Sequence, residues 1–439
     1  MYLRKLIIED IRALSNISME FEKGKENGWH VILGSNGAGK SSLIKSFALL
    51  AMGEREAYAA RQDFNLWIKN DKNQSSISGV FSMDIDYDFM SGVGQPPSKP
   101  INGHVVISRD EDSFSRTVET RFSGERIQRT VWGGGEGWFC ASFGPFRRFT
   151  GGDRDYEKLF VTNKRLAPHL TALGEEVALT DAKTWLTSLS NRALQEERKN
   201  SKSSARLILE LVTDFLNKST FLAHGATIAE VTDTTIYVTD GNGVKIEISE
   251  LSDGYRCALS LVIELLRQMF EIYSFESMQK AMTKTPGTVQ VSGVVAIDEI
   301  DTHLHPTWQR DIGAWLRRSF PRLQFIVTTH SPIVCRAVAN EDGSLAGTVW
   351  KLPSPGSSDT FRQISGFELD QLVYGDVLDA FSTELFGQHV IRSQAGDNKL
   401  ERLAELNTKS LKKSLSVEET SERKELRKTF PANAGMLKD

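Results

Sequence analysis

The chain reads as an α/β protein. It has a head built on a phosphate loop, an antiparallel β lobe, a helical insertion and a C-terminal helical extension. Three stretches predict this. Gly34-Ser35-Asn36-Gly37-Ala38-Gly39-Lys40-Ser41, followed by Ser42, fits GxxxxGK[ST]; it lies between a strand-like run, Val31 to Leu33, and an apolar run, Leu43 to Leu50. Val294 to Ile297 runs into Asp298-Glu299, and Phe325 to Thr329 runs into His330. Apolar strands that end in polar residues put those residues at the C-terminal edge of a sheet, where open α/β sheets bind ligands.

Taken in order, Leu3 to Ile11 and Ile17 to Phe21 read as strands leading to the loop. Ala59 to Asn73 is polar and carries no clear pattern. Met83, Ile85, Tyr87 and Phe89 alternate with Asp84, Asp86 and Asp88, which predicts a strand with one buried and one acidic face. The Pro- and Gly-rich stretch from Gly92 to Gly103 is a loop. Val105 to Ile107 and Arg116 to Phe122 are further strands of the β lobe, and Trp138 to Phe143 is another short apolar strand. Leu159 to Lys218 is rich in Leu, Ala, Glu, Lys and Arg and predicts several helices without sustained heptads. Ile236 to Val238 and Val244 to Ile248, joined through Asp240-Gly-Asn-Gly243, read as a hairpin. Gly347 to Leu352 is expected to complete the sheet. The apolar anchors Leu369, Leu372, Val373, Val377, Leu378, Phe381, Leu385 and Phe386 have helical spacing, and a charged helical pattern follows Lys399. The expected divisions are 1–150, 151–225, 226–355 and 356–439.

At the phosphate loop a strand delivers glycines to a helix N-terminus, whose free N–H groups and dipole attract phosphate oxygens. Lys40 would reach the outer phosphates and the Ser41 hydroxyl would ligate magnesium. Asp298 would hold magnesium through water, and Glu299 would be the base that orients an attacking water. Either acid alone also reads as a solvated strand end. His330, at a strand tip, suggests a sensor of the terminal phosphate; the plain alternative is a histidine bonded locally. Leu251-Ser252-Asp253-Gly254 opens a helix running through Leu266 and offers a second anion-facing helix N-terminus, although LSxG by itself is usually a Ser-capped turn. His303 and His305 invite a metal, but no third ligand is spaced nearby and local capping explains them. Asp301 fits a loop linking two nucleotide sites.

Composition sets outer limits. The chain has 439 residues, 40% hydrophobic and 25% charged, the balance of a globular protein. A net charge of −4 supplies no overall attraction to nucleic acid, so DNA contact would need a local basic patch. The best such cluster is Arg147, Arg148, Arg154, Lys158, Lys164 and Arg165, which also reads as a solvated helical face. Cys140, Cys257 and Cys335 are far apart and fit a reducing cytoplasm. The N-terminus carries charge throughout and looks like no signal peptide, and no apolar run approaches the roughly 20 residues of a membrane span.

The ordered set GSNGAGKS, LSDGYR, VVAIDE and TTHS resembles the ABC-type ATPases of the SMC and RecF kind, over residues 1 to about 335. That resemblance implies a head-to-tail homodimer holding two ATP molecules with magnesium. Lys40, Ser41, Asp298, Glu299 and His330 then serve the nucleotide in cis, Ser252 and Gly254 serve it in trans, and Asp301 lies in the D-loop. The family also places a glutamine near Ser142-Phe143; this sequence has none there, and Gln62 is a poor substitute by position.

A finer resemblance is to the ATPase subunit of Septu-type antiphage defence systems and related retron ATPases. It rests on Ser142-Phe-Gly-Pro-Phe-Arg-Arg148, on Asp298-Glu-Ile-Asp-Thr-His-Leu-His-Pro306-Thr-Trp-Gln309, and on Val377 to Gly387 with Arg392-Ser393. It implies an HNH-type nuclease partner; the C-terminal helical extension is expected either to pack on its own core or in a homo-oligomer, or to help assemble a higher oligomer and dock that nuclease. Nothing after His330 has the Glu strand and paired Asp residues of a Toprim nuclease, which OLD-type and Gabija-type relatives carry. The competing function is a RecF-like or SMC-like repair ATPase on duplex DNA. An importer motor is disfavoured, because the helical insertion shows no coupling motif.

Overall fold

In a computed structural model the alternating residues at the start of the chain pair as a hairpin, Tyr2–Ile11 (β1) with Leu14–Glu20 (β2). The description covers residues 1–84, 86, 88, 99–109, 118–133, 137–145, 163–174, 181–199, 203–222, 225–302, 304–376, 394–412 and 414–430. Gly28–Leu33 (β3) is buried along its whole length and leads through the glycine loop into Lys40–Met52 (α1), then Glu54–Ala59 (α2). Gln74–Ser82 (β4), Ile101–Arg109 (β5) and Val118–Ser123 (β6) join the hairpin in a five-stranded antiparallel sheet ordered β2-β1-β4-β5-β6. Residues of α1, among them Phe47 and Leu50, share one core with Leu6, Ile8, Ile77 and Val105 of this sheet.

The strand expected over Met83 to Phe89 is not there in its described part; the strand is β4, and it ends at Ser82. The aspartates explain why. Asp88 Oδ2 accepts from Asp84 N (2.6 Å) and Asp84 Oδ1 from Asp86 N (3.1 Å), so their side chains bond local backbone and hold a turn in place of a ladder. Asp86 is exposed, but the other two do not face solvent: Asp88 is buried and accepts from the Met1 amino group at 2.7 Å, while Asp84 pairs with Arg322 at 2.6 Å. Ile85, Tyr87 and Phe89 lie outside the described residues. The strand β4 escaped sequence reading because its serines are buried, Ser75 bonding Asp10 O and Ser76 bonding the Glu9 carboxylate.

Phe139–Phe143 (β7) is a strand as expected, but it pairs away from the β lobe. Leu170–Leu173 (α3), Asp181–Arg198 (α4) and Ser204–Lys218 (α5) follow, then a small sheet of Thr227–Val231 (β8), Ile236–Thr239 (β9) and Lys245–Glu247 (β10). Asp253–Ile272 (α6) and Phe275–Thr283 (α7) lead to Gly293–Ile297 (β11), Pro306–Ser319 (α8) and Leu323–Thr329 (β12). Gly347–Lys351 (β13), Arg362–Ile364 (β14) and Gly366–Val373 (α9) end the first compact unit, Met1–Tyr374.

The second sheet of that unit runs β14-β13-β3-β12-β11-β7, parallel throughout except for β14. Strands β3, β7, β11 and β12 are buried at every position, which is why they are written as continuous apolar runs. The C-terminal ends of β3, β11 and β12 therefore share one edge, and each carries a sequence motif. The second unit, Gly375–Asp439, contains Gln394–Lys412 (α10) and Val417–Thr429 (α11). A capping box of Ser416 and Glu419 starts α11, and Lys409 reaches Glu419 at 2.5 Å. Of the expected C-terminal anchors, Leu369, Leu372 and Val373 are buried on α9. Val377, Leu378, Phe381, Leu385 and Phe386, with Arg392 and Ser393, lie outside the described residues. No described helix is long and apolar enough to cross a membrane.

Candidate functional site

The glycine loop closes tightly between β3 and α1. Ala38 N donates to Ser35 O (3.2 Å), and Gly37 and Gly39 take φ of 79° and 98°, a region that favours glycine. Gly39 is doubly required: a Cβ there would lie 2.5 Å from Leu14 Cδ2, because the β1–β2 turn presses on the loop. No side chain caps α1, so its first-turn N–H groups are left for an anion. Lys40 is buried and folds back on the loop, donating to Gly34 O (3.0 Å) and Ser35 O (3.2 Å).

Two threonines of β12 orient the acids that follow β11. Thr328 Oγ1 donates to Asp298 Oδ1 (2.5 Å) and accepts from Glu299 N (2.8 Å); Thr329 Oγ1 donates to Asp301 Oδ1 (2.6 Å). Asp298 N donates to Phe143 O (2.8 Å), which ties the first acid to β7. Glu299 adopts φ of 45°, a left-handed conformation that costs a non-glycine residue roughly 1 kcal/mol or more. The bond to Thr328 helps hold it there. Sequence reading gave Thr328 and Thr329 no role of their own; their only signal is their place directly before His330.

The three motifs meet at Lys40, Glu299 and His330. Lys40 Nζ lies 2.5 Å from His330 Nε2, and that nitrogen lies 3.6 Å from Glu299 Oε1. With an ammonium donating to it, Nε2 carries the lone pair. Burial lowers the Lys40 pKa, while the Glu299, Asp298 and Asp301 carboxylates act to raise it. The result is a cation at the mouth of an N–H-rich loop, faced by an acid and an imidazole. Ser41 in the first turn of α1 and Asp298 at the end of β11 offer hydroxyl and carboxylate oxygens on the same sheet edge, a donor set suited to magnesium.

The remaining predicted residues lie elsewhere. Ser252 occupies the N-cap of α6 without a side-chain cap bond, and Asp253 pairs with Arg256. Among the described residues, Leu251, Ser252, Asp253 and Gly254 make no hydrogen bond to Lys40 or His330 of their own chain. His305 caps α8, its Nδ1 accepting from Thr307 N; His303 lies outside the described residues. Among the described residues no group of three or more His, Cys, Asp or Glu gathers as a metal site. Near the position where a glutamine was sought, Ser142 is buried and bonds His169 Nδ1 (2.9 Å), while Gln62 bonds Ala60 O close by in sequence.

The basic cluster loses one member. Arg165 is buried, lies over the Trp138 ring at 5.2 Å and donates to Gly133 O, and burial pushes its pKa down to about 10. It is a core residue, since its stem and guanidinium plane pack better on an indole than in a solvated helical face. Arg147, Arg148, Arg154 and Lys158 lie outside the described residues.

Two family models match the chain. One, described as "AAA domain, putative AbiEii toxin, Type IV TA system", covers residues 158–336. The other, described as "AAA domain", covers residues 5–211. Fold and site together are those of a P-loop ATPase, and both matching models describe AAA domains. Within that class the chain is similar to the Retron Ec83 probable ATPase of Escherichia coli, at 23% identity over 79% of this chain and 72% of that one. It is also similar to the Septu protein PtuA of Bacillus mycoides (strain KBAB4), at 25% identity over 79% of this chain but 40% of the relative, so it spans about two fifths of that protein. Among solved structures, an SMC head bound to the C-terminal winged-helix domain of ScpA matches 84% of this chain and 99% of its own, at 14% identity and a TM-score of 0.47, a likeness too slight to bear on function.

Proposed function

We propose that this chain is the ATP-hydrolysing subunit of an antiphage defence assembly. Two copies close head-to-tail around ATP and magnesium, and the assembly controls an HNH-type nuclease. The observation that carries this is the convergence of Lys40, Glu299 and His330, from three separated motifs, on one edge of a parallel sheet. The likeness to retron and Septu ATPases supports the cellular role. The buried position of Arg165 weakens the duplex-DNA alternative, which needs an exposed basic patch.

In this reading the loop N–H groups and Lys40 bind the phosphates, and Lys40 leaves its own carbonyls to do so. Ser41 and Asp298 hold magnesium, which supplies positive charge against the phosphate oxygens when bound. Glu299 orients the attacking water and accepts its proton at a carboxylate oxygen. His330, released by Lys40, contacts the terminal phosphate. Ser252 and the N–H groups at Gly254 complete the site from the second copy, which fits their separation from Lys40 within one chain.

Glu299→Gln tests the assignment. The amide keeps the shape but cannot take the proton, so turnover should fall about 10²- to 10⁴-fold while ATP still binds. Sedimentation should show an ATP-dependent dimer accumulating. Unchanged turnover would move the base elsewhere, with His330 the first candidate.

A further inference from the structure

Beside the signature residues, a cavity of about 940 Å³ opens on the first unit, with Ser252 and Gly254 on one wall. Phe221, Tyr255, Trp308 and Trp315 also line it, together with polar and charged residues that include Asp311 and Arg318. The aromatic rings meet edge to face, Tyr255 with Trp308 at 5.0 Å and 80°, Phe221 with Trp308 at 5.2 Å and 60°, and Phe221 with Trp315 at 4.5 Å and 60°. Such contacts hold the walls in place, so the cavity is preformed. Phe221 and Trp315 are themselves buried, and the partly exposed rings of Tyr255 and Trp308 are the aromatic surface that a docking group would cover.

A second feature lies beside the glycine loop. Residues 353–356, Pro353-Ser354-Pro355-Gly356, form a turn at the rim of the glycine loop. Leu352 N donates to Leu33 O (2.8 Å), Ser35 Oγ lies 3.4 Å from Ser354 Oγ, and Ser357 N donates to Ser354 O (3.1 Å). A Cβ on Gly37 would lie 3.4 Å from Pro355 Cγ, so the proline stands directly beside the loop, and it is exposed. A proline held in a turn has little conformational freedom to lose when it docks against aromatic side chains.

We propose that the occupant of the cavity is the Pro353–Pro355 turn of a second copy of this chain. The inference rests on the composite-site reading above and deepens it. If Ser252 and Gly254 of one copy face the glycine loop of the other, the aromatic cavity beside the first pair faces the proline turn beside the second. The two contacts are continuous, and the dimer closes twice, through nucleotide at the site and through proline in the aromatic box alongside. The second contact gives the dimer a specificity that nucleotide alone does not supply, since any similar head could present phosphates to a signature helix.

The test mixes two full-length chains with different tags, one carrying Asp311→Cys at the cavity wall and one carrying Pro355→Cys, with a non-hydrolysable ATP analogue, magnesium and a short bis-maleimide. Each chain alone controls for the native Cys257. A covalent heterodimer that forms in the mixture, needs nucleotide and is absent from either chain alone is the expected result. A parallel mixture of Asn36→Cys with Asp253→Cys reports the composite site itself. If that pair couples and the first does not, the proline turn docks elsewhere and the inference is overturned while the composite site stands. If neither couples although nucleotide binds, both fall. If the Asp311→Cys chain couples instead to a co-purified nuclease subunit, the cavity belongs to that subunit and the inference is again overturned. As a second measure, Pro355→Asp should weaken nucleotide-dependent dimerisation about 10-fold or more, as expected when a buried anchor is lost; unchanged dimerisation counts against the turn.

Discussion

Lys40 is a buried ammonium whose partners are two loop carbonyls and one imidazole nitrogen. Burial disfavours its charge and holds its pKa below the ordinary lysine value, against the opposing pull of three nearby carboxylates. A phosphate group satisfies such a cation better than carbonyls do, because a charge-assisted bond to an anion is roughly twice as strong as a neutral one. Lys40→Ala should therefore reduce ATP affinity at least about 10- to 100-fold, read by calorimetry. Unchanged affinity would refute the phosphate-loop assignment. Two other histidines act on stability. Burial lowers the pKa of His30 to about 4 and that of His169 to about 3. In the unfolded chain both titrate near about 6.5. Between those values the unfolded state holds protons that the native state does not, so stability is full above about pH 6.5 and is lost as pH falls through the window. From pH 6.5 to 5 each histidine should contribute a loss of about 1.5 kcal/mol. Urea unfolding at the two pH values should show it, and His30→Gln should flatten the dependence; a slope that His30→Gln leaves unchanged would remove His30 as its source.

Strand β3 is the element on which the site depends, since its C-terminal end delivers the glycine loop and its neighbours β12 and β13 fix its position. The β13 side is very close. A Cβ on Gly347 would lie 1.8 Å from Trp29 O, so only glycine lets the two strands pair here. Gly347→Ala should cost about 3 kcal/mol or more, the range of severe core lesions. It should lower the thermal midpoint and weaken nucleotide binding together, because the displaced strand carries the loop. A variant with wild-type melting behaviour would show that β13 can shift without disturbing β3.

On the scale of the whole molecule, the division after Tyr374 decides where the chain can be cut. A cut at the expected start of the last division, residue 356, would remove β14 and α9, whose Leu369, Leu372 and Val373 are buried, and would expose apolar surface on the first unit. Truncation after Tyr374 should instead leave a folded chain that binds ATP. If the second unit serves assembly and nuclease docking, that truncated chain should no longer form higher oligomers or co-purify with the nuclease. Retention of the full complex would move docking elsewhere, to α4 and α5 first.

The sequence by itself marked the candidate site positions. Buried parallel strands are rich in apolar residues, and a glycine loop between strand and helix has few other uses, so Lys40 could be placed at a helix start, and Glu299 and His330 just after strands, by local pattern. Only the tertiary structure decided what those ends face. Pairing between distant strands moved β7 from the lobe to the side of β11, where its last carbonyl holds Asp298 N. Charge compensation turned Asp84 and Asp88 inward to Arg322 and the Met1 amino group, and an indole took Arg165 into the core. The threonines that aim the acids, and the aromatic box beside Ser252, are assembled from residues far apart in the chain. Periodicity reports which face of an element is apolar; it carries no information about which distant group will satisfy a buried donor, acid or cation, and that pairing is set by the fold.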